Sequence, residues 1–132
     1  MTQMETVEPQ ARVADLAQIV SREVLGGMGL RPPGLPYRLA QVLVRPGVMR
    51  MARLLAQADA EAGQRGLHAA GEVLLERLAT SCTAQGAEGI PAEGPVLITA
   101  NHPGGLELLA VLAHMRRPDV CVLSNPQPFL QA

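Results

Sequence analysis

Two short apolar runs, at residues 96–100 and 120–123, flank an apolar-periodic stretch at 106–115, and this pattern most constrains the fold. Runs of four or five aliphatic residues are typical of buried strands, whereas the spacing of Leu109 and Leu112 is typical of a helix. A strand, a helix and a second strand with short connections predict a right-handed parallel βαβ unit. The alternating segment 82–87 is predicted to be a further short strand.

The residues before these runs have helical periodicity. A first helix is predicted from Glu8-Pro9 to Gly26-Gly27, because proline fits a first helical turn and glycine ends a helix. A second helical region begins at Leu35 and continues to Ala62, kinked or interrupted at Pro46-Gly47. A third helix is predicted over 67–78. In the first helix Val13, Leu16, Ile19 or Val20, and Val24 recur at helical spacing, and in the third helix Leu67, Ala70, Leu74 and Leu78 do so.

These elements predict an α/β protein in which N-terminal helices precede a strand and the parallel βαβ unit. We expect an N-terminal helix and linker at 1–34, a helical hairpin or bundle at 35–80, and the start of an α/β domain at 81–132. Parallel sheets normally contain several strands and are covered on both faces. Either another chain completes this sheet or the sequence is a piece of a longer domain, and the second interpretation is favoured.

Composition narrows the classes of function. The net charge is −1, and the chain has one Tyr, one Phe and no Trp, so we expect no nucleic-acid partner and no base stacking. Cys82 and Cys121 lie in apolar runs and are predicted to be buried free thiols, with a disulfide as the alternative. No signal peptide and no membrane-spanning run is visible, which predicts a protein that is soluble or lies on a membrane.

A basic block covers residues 31–58, which contain five arginines and no acidic residue: Arg31, Arg38, Arg45, Arg50 and Arg53. The block coincides with apolar helical periodicity. One interpretation is a solvated helix face. The other, which we favour, is an amphipathic basic patch that contacts an anionic membrane surface.

The candidate site is the segment Asn101-His102-Pro103-Gly104-Gly105-Leu106-Glu107. His102 is predicted to lie at the carboxyl end of a strand, where open α/β sheets bind ligands. Glu107 follows five positions later, in the first helical turn. An imidazole with a carboxylate in reach suits general-base chemistry on a hydroxyl group.

Backbone N–H groups near Gly104 and Gly105 could face an oxyanion or a phosphate. Asn125 follows the second predicted strand at 120–123 and should emerge at the same sheet edge, although a plain turn residue is at least as good an alternative. A zinc site built from His102, Glu107 and His114 is disfavoured, because seven helical positions separate the last two by ~10 Å. No metal is therefore expected, and His68 and His114 are interpreted as structural.

Residues 94–105, with their Asn101-His102 pair, resemble the first conserved block of the glycerolipid acyltransferases, such as the 1-acylglycerol-3-phosphate acyltransferases. The family motif is Asn-His, four residues, then Asp; here Glu107 takes the acidic place with one more methylene group. The turn at 88–91 is also similar. The resemblance covers roughly residues 66–132 and lacks the family's later Phe-Pro-Glu-Gly type of block, so the chain resembles the N-terminal portion of such an enzyme.

The resemblance implies transfer of a fatty acyl group from acyl-CoA or acyl carrier protein to a lysophospholipid hydroxyl. His102 would be the general base and Glu107 would orient its ring, and no cofactor is needed. We assign Asn101, Gly104, Gly105 and Asn125 to substrate binding. The expected location is the cytoplasm, peripheral on the inner face of the cell membrane.

Two other functions remain open. The chain could be a non-catalytic, truncated relative that binds lipid or a partner protein. A weaker alternative is a phosphate-binding βαβ domain that uses the Gly104-Gly105 loop without acyl chemistry.

Overall fold

The computed structural model describes residues 9–101 and 106–123. Its described residues form two compact units, one ending at Ala56 and the other comprising Gln57–Leu123. The helices found in these ranges are α1 (Pro9–Gly27), α2 (Leu35–Arg65), α3 (Leu67–Leu78) and α4 (Glu107–His114), with a single 3₁₀ turn at Ala87–Gly89.

Helix α1 confirms the bounds predicted from its flanking proline and glycines. Its carboxyl end closes in a Schellman turn, in which Leu30 N–H donates to the Leu25 carbonyl and Gly29 N–H donates to the Gly26 carbonyl, both at 2.9 Å. Gly29 has a φ of +77°, which glycine adopts without steric cost. Leu25 is fully buried, whereas its neighbour Val24 is 41% exposed.

Helix α2 runs unbroken for 31 residues with Pro46 inside it. Proline has no N–H, so the Val42 carbonyl loses its helical partner at position 46. Val42 is 71% exposed, so this part of the helix borders solvent. The prediction that Pro46-Gly47 interrupts the helix is therefore wrong. Val48 and Ala52, further along α2, belong to the buried core of the first unit together with Leu16 of α1.

Gly66 separates α2 from α3 in the second unit. Its φ of 87° and ψ of 172° lie in a region that only glycine occupies readily. Helix α3 then has the predicted bounds, and of its four residues noted at helical spacing only Ala70 is buried. Leu67 and Leu78 are each more than a third exposed, and the buried residues are Ala69, Ala70, Gly71 and Leu75.

Helices α3 and α4 pack together in this second unit. A Cβ atom placed on Gly71 would lie 2.7 Å from the backbone nitrogen of Ala113 and 2.9 Å from the Leu112 Cβ. Such distances are shorter than any side chain tolerates, so the two backbones approach at a point that only glycine permits. Leu112 is buried at this crossing.

The predicted α/β class is wrong, because the structure is helical and contains no strand in residues 9–101 and 106–123. The predicted strands at 96–100 and 120–123 are irregular, and the segment 82–87 leads into the 3₁₀ turn. The parallel βαβ unit is therefore not formed in these ranges. Strands need neighbours that pair their N–H and C=O groups, and sheets of fewer than three strands are marginal in water. Leu97 and Leu123 are 84% and 90% exposed, so apolar composition alone has not produced a sheet.

The predicted burial of the two cysteines is also wrong. Cys82 and Cys121 are free thiols, as predicted, but both are exposed. Their burial was inferred from strands that the structure does not contain.

Replacing Gly71 with alanine shows whether close packing or helix propensity determines the effect of a methyl group on stability at this position. We expect Gly71→Ala to destabilise the protein by ~1–3 kcal/mol, because the new methyl group overpacks the crossing. Gly63→Ala is the matched control. Gly63 is an exposed α2 residue with no atom near the added methyl group. That change should stabilise by ~0.5–1 kcal/mol. Urea unfolding followed by circular dichroism measures both, and shifts of the same sign would contradict the close crossing.

Candidate functional site

The candidate site lies where the irregular segment 96–101 leads toward α4. Asn101 is exposed at the end of the segment. His102, Gly104 and Gly105 lie outside the described residues, and so does Asn125. The predicted meeting of Asn101 and Asn125 at one sheet edge loses its basis, because the parallel strands that required it are not formed in the described ranges.

Glu107 occupies the first turn of α4, as predicted. The residue before it, Leu106, caps the helix without a side-chain hydrogen bond. A carboxylate at this position interacts favourably with the partial positive charge of the helix N-terminus. The Oε1 atom of Glu107 is buried, while the residue as a whole is partly exposed.

His68 links α3 to the helix that bears Glu107. Its Nδ1–H donates to the Leu112 carbonyl at 3.3 Å, and its Nε2 lies 3.1 Å from Glu72 Oε1. Both ring nitrogens therefore face oxygen acceptors of the protein, one on each helix. His114 donates from Nδ1 to the Ala110 carbonyl at 2.7 Å, within α4. These bonds agree with a structural interpretation of both histidines.

Arg117 fixes the chain after α4 to the turn before segment 96–101. Its Nη1 donates to the Pro91 carbonyl at 2.7 Å, and its Nη2 donates to the Gly94 carbonyl at 2.8 Å. The same guanidinium group forms a two-pronged pair with Asp119, at 2.9 Å from Nε and 2.6 Å from Nη2. The Arg117 side chain is only 8% exposed. One arginine therefore ties the chain after α4 to the turn at Pro91 and Gly94.

The hydrogen bonds from Arg117 lower the pKa of the Asp119 carboxyl group below its ordinary value. In return, the bonds to Asp119 raise the pKa of the Arg117 guanidinium group. Both shifts favour the charged forms. The sequence analysis missed Arg117 and the inter-helix role of His68. Their acceptors include backbone carbonyls 23 to 44 positions away, which no local pattern reveals.

A shallow cavity of about 370 Å³ lies on the same unit, beside the C-terminal end of α4. Glu72, Glu76, Cys82 and His114 are among its lining residues. Glu107 is not, since it begins the helix that His114 ends. Across residues 9–101 and 106–123, no three His, Cys, Asp or Glu side chains form a group suited to a metal ion.

Comparisons with known protein families, with curated proteins and with solved structures find no match to this chain. The likeness to glycerolipid acyltransferases therefore depends on its short motif alone. Among the described helices, none combines the length and hydrophobicity needed to cross a bilayer.

The Arg117–Asp119 pair should make stability depend on pH in acid. Because the pKa of Asp119 is lowered from 3.8 on folding, its contribution is complete above that value and is lost as pH falls through the folded pKa. We therefore expect Asp119→Asn to lower the melting temperature near neutral pH.

The difference from the parent protein should shrink as the pH falls from about 4 through the lowered pKa of folded Asp119, because the parent carboxyl group then also becomes neutral. Other carboxyl groups titrate in both proteins and cancel in this comparison. Thermal unfolding at a series of pH values measures the effect. A difference that stays constant through the acid range would contradict the assigned pair.

Proposed function

We propose that this protein transfers a fatty acyl group from an acyl thioester to the hydroxyl group of a lysophospholipid. The proposal is supported by one observation beyond the motif. Glu107 lies in the first turn of α4, directly after the segment that carries His102, with its Oε1 atom buried. A carboxylate held in this way can orient an imidazole and stabilise its protonated form.

In the proposed reaction His102 takes the proton of the lipid hydroxyl as the oxygen attacks the thioester carbonyl carbon. A C–O bond forms and gives a tetrahedral oxyanion, which backbone N–H groups at Gly104 and Gly105 would stabilise. The intermediate collapses with cleavage of the C–S bond. The protonated His102 returns its proton to the leaving thiolate, so the free thiol is the second product. The reaction requires no nucleophilic side chain and no cofactor.

The substrates suggest where the protein works. A lysophospholipid is presented at a bilayer surface, and the thioester donor is found in the cytoplasm. We therefore propose a peripheral position on the inner face of the cell membrane, with Asn101 and Asn125 contributing to substrate binding. The five arginines at positions 31, 38, 45, 50 and 53 would contact the anionic surface.

The alternative of a non-catalytic lipid-binding protein is favoured by a different observation. The α/β sheet on which the acyltransferase comparison relied is not formed in the described residues. In that case the purified protein would bind lysolipid without consuming the thioester.

Substitution of His102 and Glu107 tests the catalytic proposal. With a labelled acyl thioester and lysophosphatidate, His102→Ala should lower the rate about 10²–10⁴-fold, the range expected for loss of a general base. Glu107→Gln should lower it strongly, while Glu107→Asp keeps the charge and should retain more activity.

Glu23→Gln, an exposed change in α1, is the control and should leave the rate unchanged. Unaltered turnover in the folded His102→Ala protein would disprove the base assignment. If the parent protein binds lysolipid but releases no thiol, the binding alternative replaces the enzyme.

A further inference from the structure

A groove of about 510 Å³ lies between α1 and the first half of α2, within the first unit. Its polar lining comprises Arg22, Arg38 and Arg45 together with Gln18, Ser21, Tyr37 and Gln41. No carboxylate lines it. Among the described residues, none of the three guanidinium groups forms an ion pair. The groove therefore has an unneutralised positive lining.

The spacing of these arginines suits an anion with several oxygen atoms. Arg38 and Arg45 are seven positions apart, so they lie on one side of α2 about two turns or ~10 Å apart, with Gln41 between them. Arg22 belongs to α1. Guanidinium groups donate forked hydrogen bonds that match the geometry of a phosphate, and the hydroxyl groups of Ser21 and Tyr37 are further donors.

An exposed apolar stripe lies beside the groove. Leu35, Leu39, Val42 and Leu43 recur at helical spacing on α2, and they are 71%, 60%, 71% and 80% exposed. Val42 also lines the groove, so the stripe borders the positive lining directly. A contiguous apolar patch of this kind is uncommon on soluble proteins and marks a contact surface.

Together these features define the ligand class. A ligand that places an anionic group in the groove and an aliphatic part against the stripe is an amphiphile rather than a free ion. We propose that the α1–α2 groove binds the phosphate group of an anionic phospholipid in a bilayer while the apolar stripe enters the acyl boundary. A helix with an apolar face bordered by arginines is the usual form of such a contact. This inference does not depend on acyl transfer, because it concerns binding alone.

The arginines of the basic block should then differ from one another. Arg38 and Arg45 line the groove, whereas Arg50 and Arg53 are exposed on the same helix but do not line it. A general attraction between the protein and an anionic surface weakens by about fivefold for each arginine removed, whichever one it is. A phosphate held in the groove adds a further loss of about tenfold or more for Arg38 and Arg45 only.

The test compares two charge-matched double variants, Arg38→Gln/Arg45→Gln and Arg50→Gln/Arg53→Gln. Binding of each folded protein is measured by co-sedimentation with phosphatidylcholine vesicles, with and without phosphatidylglycerol. The parent protein should bind only the anionic vesicles, and the first variant should lose much more affinity than the second. Equal losses of vesicle affinity in the two double variants would overturn the groove as the phosphate site. If the parent protein bound the phosphatidylcholine vesicles but not those with phosphatidylglycerol, the choice of an anionic ligand would be overturned.

A second pair of measurements separates a lipid from a free ion. Leu39→Ser/Leu43→Ser should weaken vesicle binding while leaving the helical circular dichroism signal intact. Inorganic phosphate and soluble glycerol phosphate should compete only weakly with the vesicles. Full competition by inorganic phosphate, or vesicle binding unaffected by the serine changes, would overturn the bilayer as the partner. Because no step measures thiol release, failure here is distinct from failure of the acyltransferase proposal.

Discussion

The close approach of α3 and α4 at Gly71 is the constraint on which the second unit depends. Helix α4 has only eight residues, and an isolated helix of that length is not stable in water. Its stability must therefore come from packing against α3, and that packing requires a residue without a side chain at position 71. His68 reinforces the same pairing through the Leu112 carbonyl. The packing of α4 against α3 thus determines the position of Glu107 at the start of α4.

The polar contacts of Arg117 extend this support beyond the helices. Residues 91–101 and 115–123 contain no described helix or strand, so few backbone hydrogen bonds hold them. A single guanidinium group supplies several of the missing bonds, since its forked donors reach Pro91, Gly94 and Asp119 together. The chain entering the candidate site and the chain leaving α4 are consequently fixed at one point. Such a contact positions the site and does not itself perform chemistry.

Particular residues show what the sequence could and could not predict. Proline and glycine act on their own backbone, and for this reason the ends of α1 were predictable from Pro9 and Gly27, while the bounds of α3 were predictable from its helical periodicity. The first-turn position of Glu107 was predictable on the same local grounds. Strands were not, because pairing belongs to two segments and the run at 96–100 carries no information about its neighbour. In α3 the spacing identified the buried Ala70, but it missed Ala69 and Gly71, since a close crossing selects small residues where hydrophobicity favours leucine.

The groove lining and the exposed apolar stripe of α2 show how helix geometry gives residues of the same type different surroundings. Five arginines between residues 31 and 58 appear equivalent in the sequence. The helix repeat gives them different surroundings, because Arg38 and Arg45 turn toward α1 while Arg50 and Arg53 do not line the groove. The unbroken passage through Pro46 matters here, since it keeps residues on both sides of the proline in one helical register. An interrupted helix would have lost the alignment of Arg38 and Arg45 with Val48 along one wall. The same continuous register places the exposed leucines beside that wall, so one helix carries a positive lining and an apolar border side by side.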